Sequence, residues 1–104
     1  MSKEKTKEEV REEFLGHLRM MVSYWEKLEG NHSTKERLEG LAFSMLVAID
    51  GGTNLPSFIL APMPHEDDKE FHTNEGEDYY PENHESDVKC DISGSLHEQF
   101  YKKK

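Results

Sequence analysis

The chain has few of the residues that mark secreted, membrane-spanning or nucleic-acid-binding proteins. It has one cysteine, Cys90. A single thiol closes no internal disulfide, which fits a reducing, cytoplasmic setting. No apolar run approaches the roughly 18 residues that a membrane-spanning helix needs, so no membrane partner is expected. Met1-Ser2-Lys3-Glu4-Lys5 leads into charge rather than into an apolar stretch, so no secretory signal is expected. Basic residues are outnumbered, 13 Lys and Arg against 22 Asp and Glu, for a net charge of −9. A general surface of that sign repels phosphate, so direct nucleic-acid binding is not expected. Apolar residues make up only 34% of the 104, below the usual ~45–50%, and mean hydropathy is −0.91. A chain of this length supports one core, so a single domain over 1–104 is expected.

What is present is unevenly distributed. Residues 10–63 hold 25 of the 35 apolar residues. Residues 65–87 hold ten acids against one base, Lys69, and so carry the whole net charge of −9. The acidity belongs to one segment and the remainder is balanced.

The periodicity predicts a helix over 6–29. Val10, Phe14, Leu18, Met21, Trp25 and Leu28 share one stripe, with Thr6 as cap and Gly16 as a candidate close crossing. Leu15, Met20 and Tyr24 lie off the stripe and widen the apolar face, which offers a homodimer surface on this helix. A second helix is predicted over 34–50. Ser33-Thr34-Lys35-Glu36 has capping-box form, and Gly51-Gly52 provides the stop. Leu41 to Ile49 is nearly all apolar, as in a helix buried on most sides. The short loop between the two implies an antiparallel hairpin.

Two strands are predicted next, over 57–61 and over 87–93. The second alternates Val88, Cys90 and Ile92 on one face, where Cys90 would act as a small buried hydrophobe rather than a nucleophile. A short helix over 95–101 follows, and residues 63–86 form a long acidic loop. The expected fold is therefore α+β: an antiparallel helical hairpin on a small antiparallel sheet. Trp25, Leu41, Met45, Ile59 and Ile92 are its expected core.

The chemistry-bearing candidates are few. His65, His72 and His84, with Asp67 and Asp68, offer imidazole and carboxylate for a divalent metal, in a spacing that matches no ligand template. Leu96-His97-Glu98-Gln99-Phe100-Tyr101 holds half of a zincin motif, but Tyr101 stands where the second His is required. Asp50-Gly51-Gly52 follows a helix and lacks the Lys of a phosphate loop, so helix termination is the plainer reading and no cofactor is expected. Asp50, Glu66, Asp67, Asp68, Glu70, Tyr79 and Tyr80 are the candidate binding residues. The closely spaced acids can also imitate nucleic-acid phosphates and occupy a basic groove on another protein. Solubilisation is the ordinary role of such a segment.

Lys35 to Gly52, together with Leu55-Pro56-Ser57-Phe58 and Ser95 to Tyr101, resembles a small family of bacterial and phage proteins with no assigned activity. The resemblance implies a small cytoplasmic protein and assigns no role to any residue. The expected function is a non-enzymatic module that binds or regulates a protein partner. An acidic inhibitor that mimics nucleic acid is one alternative. A metal-dependent hydrolase using Asp50 with the loop histidines and carboxylates is the other.

Overall fold

The computed structural model describes residues 2–82 and 88–102. Among them are four helices and no strand: α1 (Lys7–Lys27), α2 (Thr34–Asp50), α3 (Asp68–Asn74) and α4 (Leu96–Lys102). The chain divides into two compact units. One comprises Met1–Phe58 with Cys90–Lys104, and the other Ile59–Lys89.

Both long helices start on reciprocal caps. Thr6 Oγ1 accepts from Glu9 N–H while the Glu9 carboxylate accepts from Thr6 N–H, and Ser33 and Glu36 repeat the arrangement. Two of the otherwise orphaned first-turn donors are satisfied each time. At the far end of α2, Gly51 turns left-handed at φ 89°. Gly51 N–H then donates to Ala48 O and Gly52 N–H to Val47 O, the Schellman pattern. A Cβ on Gly51 would meet Ser57 Cβ at 2.8 Å, so glycine is required there for space as well as for φ.

The core of the first unit is small. Phe14, Leu15 and Leu18 of α1 are buried, Leu15 to 2% exposure. Ile49, Phe58, Ile92, Leu96 and Phe100 pack on them half-buried. Phe14 and Phe58 meet edge to face at 4.9 Å. Ala48 is the fourth buried apolar residue, fully enclosed on α2. Farther along the hairpin, Trp25 packs on Gly40 and donates from Nε1 to Ser44 Oγ at 2.9 Å. Arg37 Nη1 donates to the Trp25 and Glu26 carbonyls and so caps the end of α1.

The expected α+β fold is corrected to an all-helical one. Neither predicted strand forms among the described residues, and several of their backbone groups are engaged elsewhere. In 57–61, Phe58 N–H donates to Ile49 O at 2.8 Å and closes the end of α2, while Ile59 and Leu60 are each 79% exposed. In 87–93, Ser93 turns its amide and hydroxyl onto Asp91 Oδ1, and Ile92 O accepts from Arg11 Nε at 3.0 Å. Such local side-chain bonds compete with a ladder. Asp87 lies outside the described residues, and Cys90 is exposed rather than buried. The expected core also changes. Trp25, Leu41 and Ile92 are half-buried, whereas Met45 and Ile59 are exposed.

In the second unit the expected loop over 63–86 contains α3. Acids precede and open this helix, and Gly76 follows it at φ 73°.

Candidate functional site

The most extensive chemical feature of the first unit is apolar. Residues Leu38, Ala42 and Leu46 stand four apart on α2 and are all exposed, and Phe43 beside them is exposed to 68%. Side chains four apart on a helix lie over one another, so the three form a continuous ridge. The opposite side of α2 carries Gly40, Ser44 and Ala48, small residues that let it lie close to its neighbours. The run from Leu41 to Ile49 is thus apolar on most sides and covered on one. Among the described residues, fifteen large apolar side chains are exposed, against four apolar residues buried. Lys35 and Asp50 stand at the two ends of the ridge, both exposed. Neither side chain makes a hydrogen bond or ion pair among the described residues. Asp50 ends α2, whose last turn has no basic residue.

On α1 the off-stripe residues Met20 and Tyr24 are exposed and border an open groove of about 510 Å³ with Ser23, Lys27, Leu28 and Glu29. Leu15, grouped with them in the sequence, instead points into the core.

The second unit holds the titratable candidates. His65, Glu66 and Asp67 bring one ligand atom each to within 4.8 Å of one another, all exposed. His65 Nδ1 already accepts from Asp67 N–H at 3.1 Å, so a metal at that nitrogen would have to break a helix-entry bond. Asp68 and His72 are held apart from that trio in their own cluster. His72 Nε2 lies 3.2 Å from Asp68 Oδ1, and His72 Nδ1 lies 3.2 Å from Glu77 Oε1. Tyr80 meets the imidazole edge to face, and Lys69 Nζ sits 5.1 Å from the centre of the Tyr79 ring. Tyr80 and Asp68 also border an open groove of about 240 Å³ with Pro62, Met63 and Pro64. Glu70 is exposed on α3, and His84 lies outside the described residues. The expected metal set of His65, Asp67, Asp68, His72 and His84 is therefore not assembled as one group among the described residues. Asp50 belongs to the first unit and the loop carboxylates to the second.

The ridge on α2 contains none of the candidate binding residues read from the sequence except Asp50 at its end. Its signal was the excess of apolar residues between Leu38 and Ile49 over what one covered face requires. No helix among the described residues is long and apolar enough to cross a membrane. No family model, no curated protein and no solved structure matches the chain.

Proposed function

We propose that the chain is a non-enzymatic protein-binding module whose working surface is the outward face of α2. The observation that carries this reading is the exposure of Leu38, Phe43 and Leu46, at 61%, 68% and 56%, on a helix whose other side is packed. A contiguous apolar surface of that kind costs solubility unless something covers it, and such patches mark interaction sites. Aromatic and aliphatic anchors with charges at the margin match the usual centre and rim of an interface. We further read the protein as cytoplasmic, since its single cysteine, Cys90, is an exposed free thiol suited to reducing conditions.

A photo-crosslinking side chain in place of Phe43 tests the reading in cells that make the chain. It should couple the chain to a protein, whereas the same probe in place of Glu8, exposed in the first turn of α1, should not. Equal labelling from both positions would refute the assignment.

A further inference from the structure

We infer that the outward face of α2 is self-complementary and pairs two copies of this chain antiparallel, about a two-fold axis at Ala42. The inference rests on the protein-binding reading above and names the partner. The ridge Leu38–Ala42–Leu46 is symmetric about its smallest member. Two such ridges cross with Ala42 against Ala42, where the backbones approach closely, and with Leu38 of each copy beside Leu46 of the other. Rows of side chains four apart interdigitate in the commonest class of helix packing. A two-fold interface requires one surface to fit itself, which this ridge does.

The charges select the same arrangement. Lys35 lies seven residues before Ala42 and Asp50 eight residues after it. Antiparallel pairing therefore sets Lys35 of each copy opposite Asp50 of the other. Parallel pairing would set Lys35 on Lys35 and Asp50 on Asp50. Lys35 of the second copy also brings a cation to the end of α2, whose last turn has none of its own and holds an acid instead. Glu39 falls at the margin. Its two copies lie on opposite sides of the axis, about 9 Å apart along the helix, where salt weakens their repulsion.

Sedimentation equilibrium of the full chain should show a reversible equilibrium with a species of twice the 12.1 kDa chain mass. Leu46→Lys, an exposed position, should raise the dimer Kd by roughly tenfold or more. Lys35→Glu and Asp50→Lys should each weaken the dimer. Each also improves the match to the helix dipole of its own α2, so neither weakens pairing by loosening that helix. Combined, they should restore pairing to within roughly threefold of the unmodified chain if the two sites face each other. In a Cys90→Ser background, Ala42→Cys should cross-link to itself on mild oxidation, and Ser23→Cys on α1 should not. A chain that stays monomeric at every concentration overturns the pairing, as does a dimer indifferent to Leu46→Lys or a charge exchange without recovery. A monomeric chain whose Phe43 probe still couples to another protein overturns self-pairing and leaves the protein-binding reading standing. A monomeric chain whose probe couples to nothing overturns both.

Discussion

The indole of Trp25 occupies the space that a side chain at Gly40 would need: a Cβ there would fall 2.6 Å from Trp25 Cζ2. The two helices of the hairpin meet at this point, and Trp25 Nε1 donates to Ser44 Oγ one turn farther along α2. Glycine inside a helix ordinarily weakens it by ~0.5–1 kcal/mol relative to alanine. At residue 40 the close approach reverses that balance. Gly40→Ala should destabilise the protein by about 1–3 kcal/mol, since a rigid bicyclic ring must shift to admit the methyl group. Gly16→Ala should do the opposite, because a Cβ at Gly16 meets nothing within 4 Å. Urea titration of the two variants checks both signs, and stabilisation by both would mean that Trp25 moves freely.

Arg19 should prove to be the main tie between α1 and α4. Its Nε donates to Phe100 O at 2.9 Å and its Nη2 to Gln99 O at 3.0 Å. Its Nη1 pairs with Glu12 at 2.7 Å, and its guanidinium lies 5.7 Å from the centre of the Phe100 ring. The two carbonyls belong to a seven-residue helix too short to persist by itself. Arg19→Ala should cost on the order of 2 kcal/mol, from the charge-assisted bonds lost. Arg19→Lys should recover less than half, because one ammonium nitrogen cannot reach the three acceptors that Nε, Nη1 and Nη2 serve from a planar guanidinium. Amide exchange over Gln99 and Phe100 should quicken in both variants. Unchanged exchange there would mean that Leu96 and Phe100 hold α4 by packing alone.

The starts of the two long helices and the stop of α2 were legible in the sequence because they are local. Thr6 with Glu9 and Ser33 with Glu36 act within four residues, and Gly51 acts within six. The failure of the two expected strands to form was not legible, because alternation at Val88, Cys90 and Ile92 says nothing about whether a partner exists to complete a ladder. The backbone near Phe58 is bonded to the end of α2 instead. Helix α3 is not legible because its seven residues hold one large apolar group, Phe71, and so show no stripe. Gly16 looked like the close crossing because it interrupts a long helix, yet the crossing is at Gly40, which only the position of Trp25 reveals. The apolar excess of α2 was legible, but it reads as burial whether the cover lies within the chain or outside it. Of the candidate site, the residues of the ridge were visible in the sequence, and their exposure was not.

Acid should weaken the protein in a window set by its capping carboxylates. Thr6 N–H, followed by Lys3, holds the Glu9 carboxyl from an ordinary 4.5 down to about 2. Ser33 N–H lowers Glu36 in the same way, and the Ser93 hydroxyl and amide lower Asp91. A carboxyl with a lowered pKa in the folded state binds protons more readily when unfolded. Its stabilisation is complete above the unfolded value and is lost as pH falls through the folded one. The urea midpoint should therefore hold level down to about pH 5 and decline from about 4.5 toward 2. Glu9→Gln should reduce the slope of that decline, because the amide still accepts from Thr6 and does not titrate. A midpoint that falls equally steeply in Glu9→Gln would assign the acid sensitivity to other carboxylates.

His72 should hold the second unit's helix in place. Its two ring nitrogens lie 3.2 Å from Asp68, one turn earlier in α3, and 3.2 Å from Glu77, just beyond the helix. Glu77 N–H also donates to His72 O at 2.8 Å, so side chain and backbone close the same turn. A helix of seven residues is far below the ~12–15 at which helices become even marginal in water, so α3 depends on such ties. His72→Ala removes both contacts and leaves Asp68 and Glu77 without their shared partner. Amide exchange at Phe71 and Glu75 should then quicken by roughly tenfold, while exchange in α1 and α2 stays unchanged, since local openings are separate from the global one. His72→Lys places a donor near Asp68 and Glu77 without the ring geometry and should recover part of the protection. Protection in His72→Ala equal to that of the unmodified chain would mean that α3 is sustained by its backbone and by Phe71, and that the imidazole merely rests between the two carboxylates.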